Sequence, residues 1–462
     1  MTIQLANSRT AIFRKIAHSR GGIAGVIILV FLILITLYAV FLIPLDSFKQ
    51  WNNPAYWIEY PKAAAPAWTN IGLKLPEHMI LKSDQALVSS VHQNGIRIVT
   101  HTYTIDYNYD SYPTDFMVSY EVKYGQIPPV MQIDMIRPDG KDFQLYGSVL
   151  PPSVSGASTL NGFVGRVFST DRMITENLRL EKGLFKYNQD ESLPQVMLFS
   201  QTDKETVLKG KYEVKVRFYL FGSSDSVEKS DLVLGGRVYG LMGTDELRRD
   251  LAIGILWGTP VALFIGLAVS IASIFIGLVY GVVAGYKGKR TDEGMMRIND
   301  LFYSLPTLPV LVILSLTFGR SIFFITGFLI IFGWVGVAKI TRSLALQLKN
   351  LQYVEAAKLM GQSDIKTIFN HIIPQLLPLT FASIAIAVPG AILAEAALSF
   401  LGLGDPTIPT WGQILNEANS AQAAARGLWW WIIPPGLMIA LTCLAFALIG
   451  NAVESTVNVK GR

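Results

Sequence analysis

The sequence predicts an α-helical multi-pass membrane protein of six spans, with an inserted extracytoplasmic domain resembling a β-sandwich. Three observations carry that prediction. Of 462 residues, 51% are hydrophobic and only 16% charged, whereas soluble chains carry about 25% charged residues. Uncharged apolar stretches long enough to cross a bilayer occur at residues 22–45 and repeatedly after residue 256. Between them, residues 46–240 are rich in charge and alternate in strand fashion.

The first span, residues 21–45, is longer than the apolar core of a signal peptide and ends in Pro44-Leu45, so it reads as an uncleaved helix. Five more spans are expected near 257–284, 295–318, 322–340, 376–401 and 429–453. Lysine and arginine near the span ends set the orientation. Arg9, Arg14, Lys15 and Arg20 precede the first span, and Lys287, Lys289 and Arg290 follow the second. Arg342, Lys349, Lys358 and Lys366 follow the fourth, and Lys460 and Arg462 end the chain. A six-span arrangement puts all four groups on one side, with only Arg320 and Arg426 in the opposite short loops. Both termini, 1–20 and 456–462, are therefore expected in the cytoplasm and residues 46–240 outside. Trp411 and Trp429-Trp430-Trp431 are expected in an outer aromatic belt.

Residues 46–240 hold 20 Lys+Arg and 22 Asp+Glu, a net of −2, and the remainder of the chain a net of +7. That split suits a translocated domain beside a positive-inside membrane part. Aromatic and polar residues alternate from Thr100 to Tyr109, and Tyr212, Val214, Val216, Phe218 and Leu220 share one face. Met131–Ile136 and Asp142–Tyr146 flank Arg137-Pro138-Asp139-Gly140-Lys141, a hairpin in which proline presets φ and glycine accepts positive φ. The only cysteine, Cys443, lies elsewhere, so the domain holds by its core alone. His78, His92 and His101 are its only histidines, and lone histidines are more often structural than ligands; no catalytic constellation is visible.

The loop after the fourth span, residues 350–375, carries the function. It reads Glu355-Ala356-Ala357-Lys358-Leu359-Met360-Gly361, nine further residues, then His371-Ile372-Ile373-Pro374. Ile365, Ile368, Phe369 and Ile372 recur at helical spacing, so two short amphipathic helices are expected. The small alanines let a partner's surface approach closely. Gly361 can end the first helix, and Pro374 marks the return towards the membrane. This stretch resembles the EAA loop of ABC-importer membrane subunits. His371 replaces the isoleucine frequent in the family but is common in the oligopeptide/dipeptide branch. Gly243-Thr244-Asp245-Glu246-Leu247-Arg248-Arg249-Asp250 resembles that branch's Gly-Thr-Asp-x-x-Gly-Arg-Asp, with Arg248 in place of the usual glycine. Met296-Arg297-x-x-Asp300, Glu395 to Gly404 and Pro409-x-Trp411-Gly412 match it as well.

About 240 residues, from 241 onwards, plus the first span thus resemble the C-type permease subunit of oligopeptide/dipeptide importers. Residues 46–240 have no counterpart in most members. The resemblance implies a type I ABC importer fold over 257–455 and a non-catalytic transport subunit that passes peptides through the cell membrane. It also implies a homologous second permease, two ABC ATPases gripping the EAA loop and an extracytoplasmic solute-binding protein, with membrane lipid around the spans and no nucleic acid. No Gly-x-x-x-x-Gly-Lys-[Ser/Thr] motif occurs, so the chain has no recognisable site of its own for ATP hydrolysis; the resemblance implies that ATP and Mg are used by the partner ATPases and that no cofactor is expected in this chain. Oligosaccharide import by the same machinery is the alternative. A membrane-anchored receptor is a further one, although one span would suffice for anchoring.

Other residues carry two readings each. Residues 241–256 are expected as an outer amphipathic helix, with Thr244 or Asp245 as its cap; Gly243, Arg249 and Asp250 belong to the same motif. Arg297 and Asp300, three apart near the cytoplasmic end of the third span, read as a snorkelling or local ion pair rather than as a substrate site. Glu395 is an acid inside an apolar span, a costly placement that suggests either the substrate pathway or a structural hydrogen bond. Pro389-Gly390 is expected to kink the fifth span, as a gate hinge or as packing.

Overall fold

The computed structural model describes residues 19–152, 161–180, 193–201 and 204–458. The basic residues Arg9, Arg14, Lys15, Lys460 and Arg462 lie outside the described residues. Two compact units emerge, Met1–Asn52 with Ile253–Arg462, and Asn53–Ala252.

In the first unit, five helices are long and apolar enough to cross a membrane: Arg20–Leu42, Leu251–Lys287, Ile322–Leu348, Asp364–Phe400 and Trp429–Glu454. The expected third span is not a straight helix. Lys289–Ser304 and Thr307–Phe318 meet at 81°, and counting that pair as one span gives six. The break has a local cause. Leu305 precedes Pro306, whose ring disfavours helical backbone in the residue before it, and Leu305 takes up ψ 132°. The Ile373–Phe400 helix, by contrast, runs on through Pro378, Pro389 and Gly390.

The Leu251–Lys287 helix packs through glycine. Gly277, Gly281 and Gly285 recur every fourth residue and so share one face. A methyl group on Gly281 would lie 2.1 Å from Thr341 Oγ1 and 2.2 Å from the Ala338 carbonyl oxygen. On Gly277 it would meet the Trp334 carbonyl oxygen at 2.7 Å, and on Gly285 that of Arg342 at 2.6 Å. The Thr341 hydroxyl donates to the Gly277 carbonyl at 3.0 Å, which closes the contact. Small residues permit such backbone approach where lipid offers no hydrophobic drive.

The tryptophans do not form the expected belt. Trp411, Trp430 and Trp431 are buried, and the Trp411 indole N–H donates to the Ile255 carbonyl at 2.9 Å. Only Trp429 is exposed among the four. The Trp411 indole finds its acceptor inside the protein, which an apolar run in the sequence does not announce.

The second unit is the expected sandwich. One antiparallel sheet has the order β1 (Met79–Leu81), β11 (Ser226–Leu234), β4 (Phe116–Tyr124), β7 (Asn161–Phe168). The other runs β2 (Leu87–Gln93), β3 (Ile96–Tyr107), β10 (Gly210–Leu220), β5 (Val130–Ile136), β6 (Asp142–Val149). Tyr212, Val214, Val216, Phe218 and Leu220 are buried, as the alternation predicts, and pack with Phe116, Val118, Tyr120 and Val122 from the facing sheet. The Pro138-Asp139-Gly140 turn joins β5 to β6.

His78 illustrates how this unit depends on pH. Burial withdraws its ring from water and lowers its pKa from 6.5 to about 4, only partly offset by the nearby Glu59 backbone and by the Asp115 charge. Above about pH 6.5 the ring is neutral in both folded and unfolded chains. As pH falls towards 4 the unfolded chain takes up the proton first, so stability is lost across that window. The loss is on the order of 2–3 kcal/mol. Thermal melting of the chain at pH 7 and pH 5 checks this: His78→Gln should narrow the difference, and His101, shifted the same way by burial, should account for part of the rest.

Candidate functional site

The short Gln352–Leu359 helix presents two faces. Val354 and Ala357 are buried, whereas Glu355 and Ala356 are exposed. Val354 packs with Leu278, Val282, Tyr286 and Ala345, so the helix rests on the ends of two membrane helices. Beyond it, Leu359 is 88% exposed and Met360 81%. Ile365 and Phe369 on the following turn are exposed too. Four apolar side chains on the turns that follow Glu355 are thus exposed.

Gly361 ends the helix in the way its sequence position suggests. Its φ is +79°, the left-handed region. The Gln362 N–H donates to the Ala357 carbonyl at 3.1 Å and the Gly361 N–H to the Lys358 carbonyl at 2.9 Å. This pair of bonds is a Schellman cap, which satisfies carbonyls the helix end would otherwise leave open.

The second expected short helix is not separate. Asp364–Thr367 leads through a π turn, Ile368–Ile372, into Ile373–Phe400. Pro374 therefore sits in the first turn of Ile373–Phe400, directly after the π turn, and the chain stays helical through it. The Ile373 N–H reaches back to the Ile368 carbonyl, and the wider turn accommodates a proline that has no N–H to offer. Three contacts missed in the sequence hold the elbow. The Tyr286 hydroxyl bonds Asp364 Oδ1 at 3.2 Å. The Lys358 ammonium lies 4.6 Å from the centre of the Tyr286 ring. His371 Nε2 lies 2.9 Å from Gln362 Oε1. Tyr286 and Asp364 are 78 residues apart in the chain, so only folding could reveal that pairing.

The residues from Met296 to Asp300 pair differently from expectation. Arg297 bonds Glu293 at 2.7 Å, and Asp300 bonds Lys339 at 2.8 Å. The i,i+4 spacing of Glu293 and Arg297 reaches better than the i,i+3 pair.

Glu395 is buried and accepts a 2.6 Å hydrogen bond from the Ser399 hydroxyl. Gly412 lies directly against this turn, since a methyl on it would stand 2.8 Å from Ser399 Cβ. Pro389 is half-buried and Gly390 exposed, with open space where its side chain would be.

The expected helix over 241–256 begins only at Leu251. Residues 243–250 form instead a compact turn, closed by pairing of Thr244 with Asp250 and by the Leu251 N–H on the Gly243 carbonyl. Side-chain demands override the helix. Thr244 Oγ1 donates to the Pro61 carbonyl at 2.7 Å and accepts from the Ala64 N–H at 2.9 Å. Asp245 and Arg249 form a fully buried ion pair at 2.6 Å. Asp250, not Thr244 or Asp245, caps the helix, accepting from the Ala252 N–H at 2.9 Å. Arg248 has φ +68°, which explains why the resembling pattern has glycine there. Its guanidinium donates to the Tyr60 carbonyl at 2.7 Å and pairs with Asp115.

Two effects oppose each other at Arg248. Left-handed backbone costs a non-glycine residue about 1 kcal/mol, and the partly buried ion pair offsets it. Arg248→Ala loses the pair and keeps the strain; Arg248→Gly loses the pair but relieves the strain. Thermal melting should therefore rank wild type above Arg248→Gly, and that above Arg248→Ala by about 1 kcal/mol.

Comparison with known proteins agrees with this architecture. Residues 277–459 match the family described as binding-protein-dependent transport system inner membrane component. The dipeptide transport system permease protein of Bacillus subtilis is 37% identical over 221 residues, 48% of this chain and 68% of that protein. The oligopeptide transport system permease protein of the same organism is 34% identical over 221 residues, covering 48% and 72%. That of Haemophilus influenzae is 35% identical over 225 residues, covering 48% and 71%. With the match beginning inside the Leu251–Lys287 helix and taking in the capped Gln352–Leu359 loop, the chain belongs to the permease family of binding-protein-dependent ABC importers, as a membrane-spanning, non-catalytic transport subunit.

Proposed function

We propose that this chain forms half of a peptide pathway across the cell membrane and is driven through the Gln352–Leu359 helix by partner ATPases. The observation that carries the reading is the pairing of buried Val354 and Ala357 with exposed Glu355, Ala356, Leu359 and Met360. One face of the helix is fixed to the membrane helices and the other is free for a partner's groove. Gly361 and the continuous rod through Pro374 support the same role, because a push on the loop then reaches the Ile373–Phe400 helix as one movement. Coupling requires that the loop bind the ATPase differently in its two nucleotide states. ATP and Mg belong to those subunits.

The relatives named for dipeptide and oligopeptide transport support peptides as the cargo. A homologous second permease completes the pathway, and an extracytoplasmic binding protein delivers the substrate. Both termini lie in the cytoplasm and residues 46–240 outside, following the distribution of lysine and arginine. Gly243, Thr244, Asp245, Arg249 and Asp250 anchor the entry to the Leu251–Lys287 helix. For Glu395, the Ser399 bond and burial favour the structural role. Open space beside Gly390 favours Pro389-Gly390 as a place where the helix can flex.

The test is copurification. The tagged chain, extracted gently from native membranes, should bring with it a second permease and two ATPases. Gly361→Arg should lose the ATPases, because arginine at φ +79° opens the cap and stands in the docking face. Proteoliposomes holding the assembly should then accumulate labelled peptide on ATP addition. Recovery of the chain alone, unchanged by the substitution, would overturn the reading.

A further inference from the structure

The inserted sandwich has four sheet edges, and three are protected in familiar ways. β1 is only three residues long. β7 carries Arg166 and two glycines. β6 is covered by the Arg172–Leu180 helix, whose Asn177 amide donates to the Leu145 carbonyl at 3.1 Å. Short strands, charges and covering helices are the devices by which natural sheets refuse further strands.

The β2 edge has none of these. It is the strand Leu87-Val88-Ser89-Ser90-Val91-His92-Gln93, and all seven residues are exposed, as in no other strand among the described residues. It contains no charge and no proline. It pairs with β3 in unbroken register from Leu87↔Thr102 to Gln93↔Ile96, with no bulge to twist the edge away. Leu87 is 75% exposed, Val88 56% and Val91 57%. An uncharged, regular, apolar edge is a template for one more strand.

The residues themselves specify which strand fits. A twofold axis perpendicular to the sheet keeps each side chain on its own face, so residues of like parity must stand opposite each other. Centred on Ser89, self-pairing sets Leu87 opposite Val91, Ser89 opposite Ser89 and Val91 opposite Leu87 on one face. On the other face Val88 stands opposite Ser90. Aliphatic meets aliphatic at both ends, small polar meets small polar at the centre, and no like charges are juxtaposed. Asp84 and Arg97 lie beyond the paired stretch. We propose that β2 pairs antiparallel with β2 of a second copy of this chain about Ser89, joining two five-stranded sheets into one.

Cysteine cross-linking of the full-length chain in native membranes tests this. In a Cys443→Ser background, Ser89→Cys places two thiols directly opposite each other, at a spacing a disulfide can bridge. Mild oxidation should give a covalent homodimer, at least tenfold above an Ile127→Cys control, whose position is exposed but off the edge. Charge exchange provides a second measurement. Ser89→Lys and Ser89→Glu chains should each be singly dispersed, and tagged and untagged chains should associate only when the two variants are coexpressed. No cross-link at Ser89, a yield equal to that of Ile127→Cys, an adduct with a different protein, or indifference to the charge exchange would overturn the proposal.

Discussion

Gly281→Leu should abolish the folded membrane unit. The two atoms that the first added carbon meets are Thr341 Oγ1 at 2.1 Å and the Ala338 carbonyl oxygen at 2.2 Å. The hydroxyl could turn aside, but the carbonyl belongs to a helix backbone and cannot. The Ile322–Leu348 and Leu251–Lys287 helices must then separate along the stripe from Gly277 to Gly285, which removes the Thr341–Gly277 hydrogen bond as well. Overpacking a close contact typically costs about 1–3 kcal/mol, and a backbone obstacle puts this case at or above the top of that range. Gly281→Ala should already lower the melting temperature of the detergent-solubilised chain. Gly294→Ala, at a glycine with open space around it, should leave it nearly unchanged. Equal melting of Gly281→Leu and wild type would mean that the two helices do not pack as described.

The second large effect is functional. Leu359→Glu combined with Met360→Glu should reduce ATP-driven uptake in proteoliposomes at least a hundredfold while leaving melting unchanged. Both side chains are more than four-fifths exposed, so the fold does not rely on them, and surface substitutions of this kind usually change stability by no more than about 0.5 kcal/mol. In a partner's apolar groove, however, each would bury an unpaired carboxylate, a cost of several kcal/mol. Val354→Glu makes the complementary case. Val354 is fully buried against Leu278 and Val282, so that substitution should damage folding and transport together. Melting and uptake measured side by side separate docking from support; retained uptake in the double variant would remove Leu359 and Met360 from the docking face.

Much of the architecture was legible in local patterns. Period-two alternation placed Tyr212 to Leu220 correctly in a buried strand, because alternation depends only on which face meets a core. Apolar length located the membrane helices, because bilayer thickness sets it. Gly361 was legible as a helix terminator for a backbone reason that needs no neighbour. The expected helix at 241–256 starts late because Thr244 and Asp245, which look like helix caps in sequence, are engaged instead by Pro61, Ala64 and Arg249 in a compact turn. The aromatic belt failed because a tryptophan near a span end has the same spelling whether its indole faces lipid or the Ile255 carbonyl.

By itself, then, the sequence determined where the apolar segments and the alternating strands lie, and the Glu355–Gly361 motif with its helix-ending glycine. Each follows from forces acting within one turn or one strand. Only the tertiary structure decided which side of the Gln352–Leu359 helix is buried, which glycine meets which carbonyl, and that Arg248 reaches Asp115, 133 residues away. Those pairings depend on which surfaces the folded chain brings together, and the sequence has no local period that encodes them.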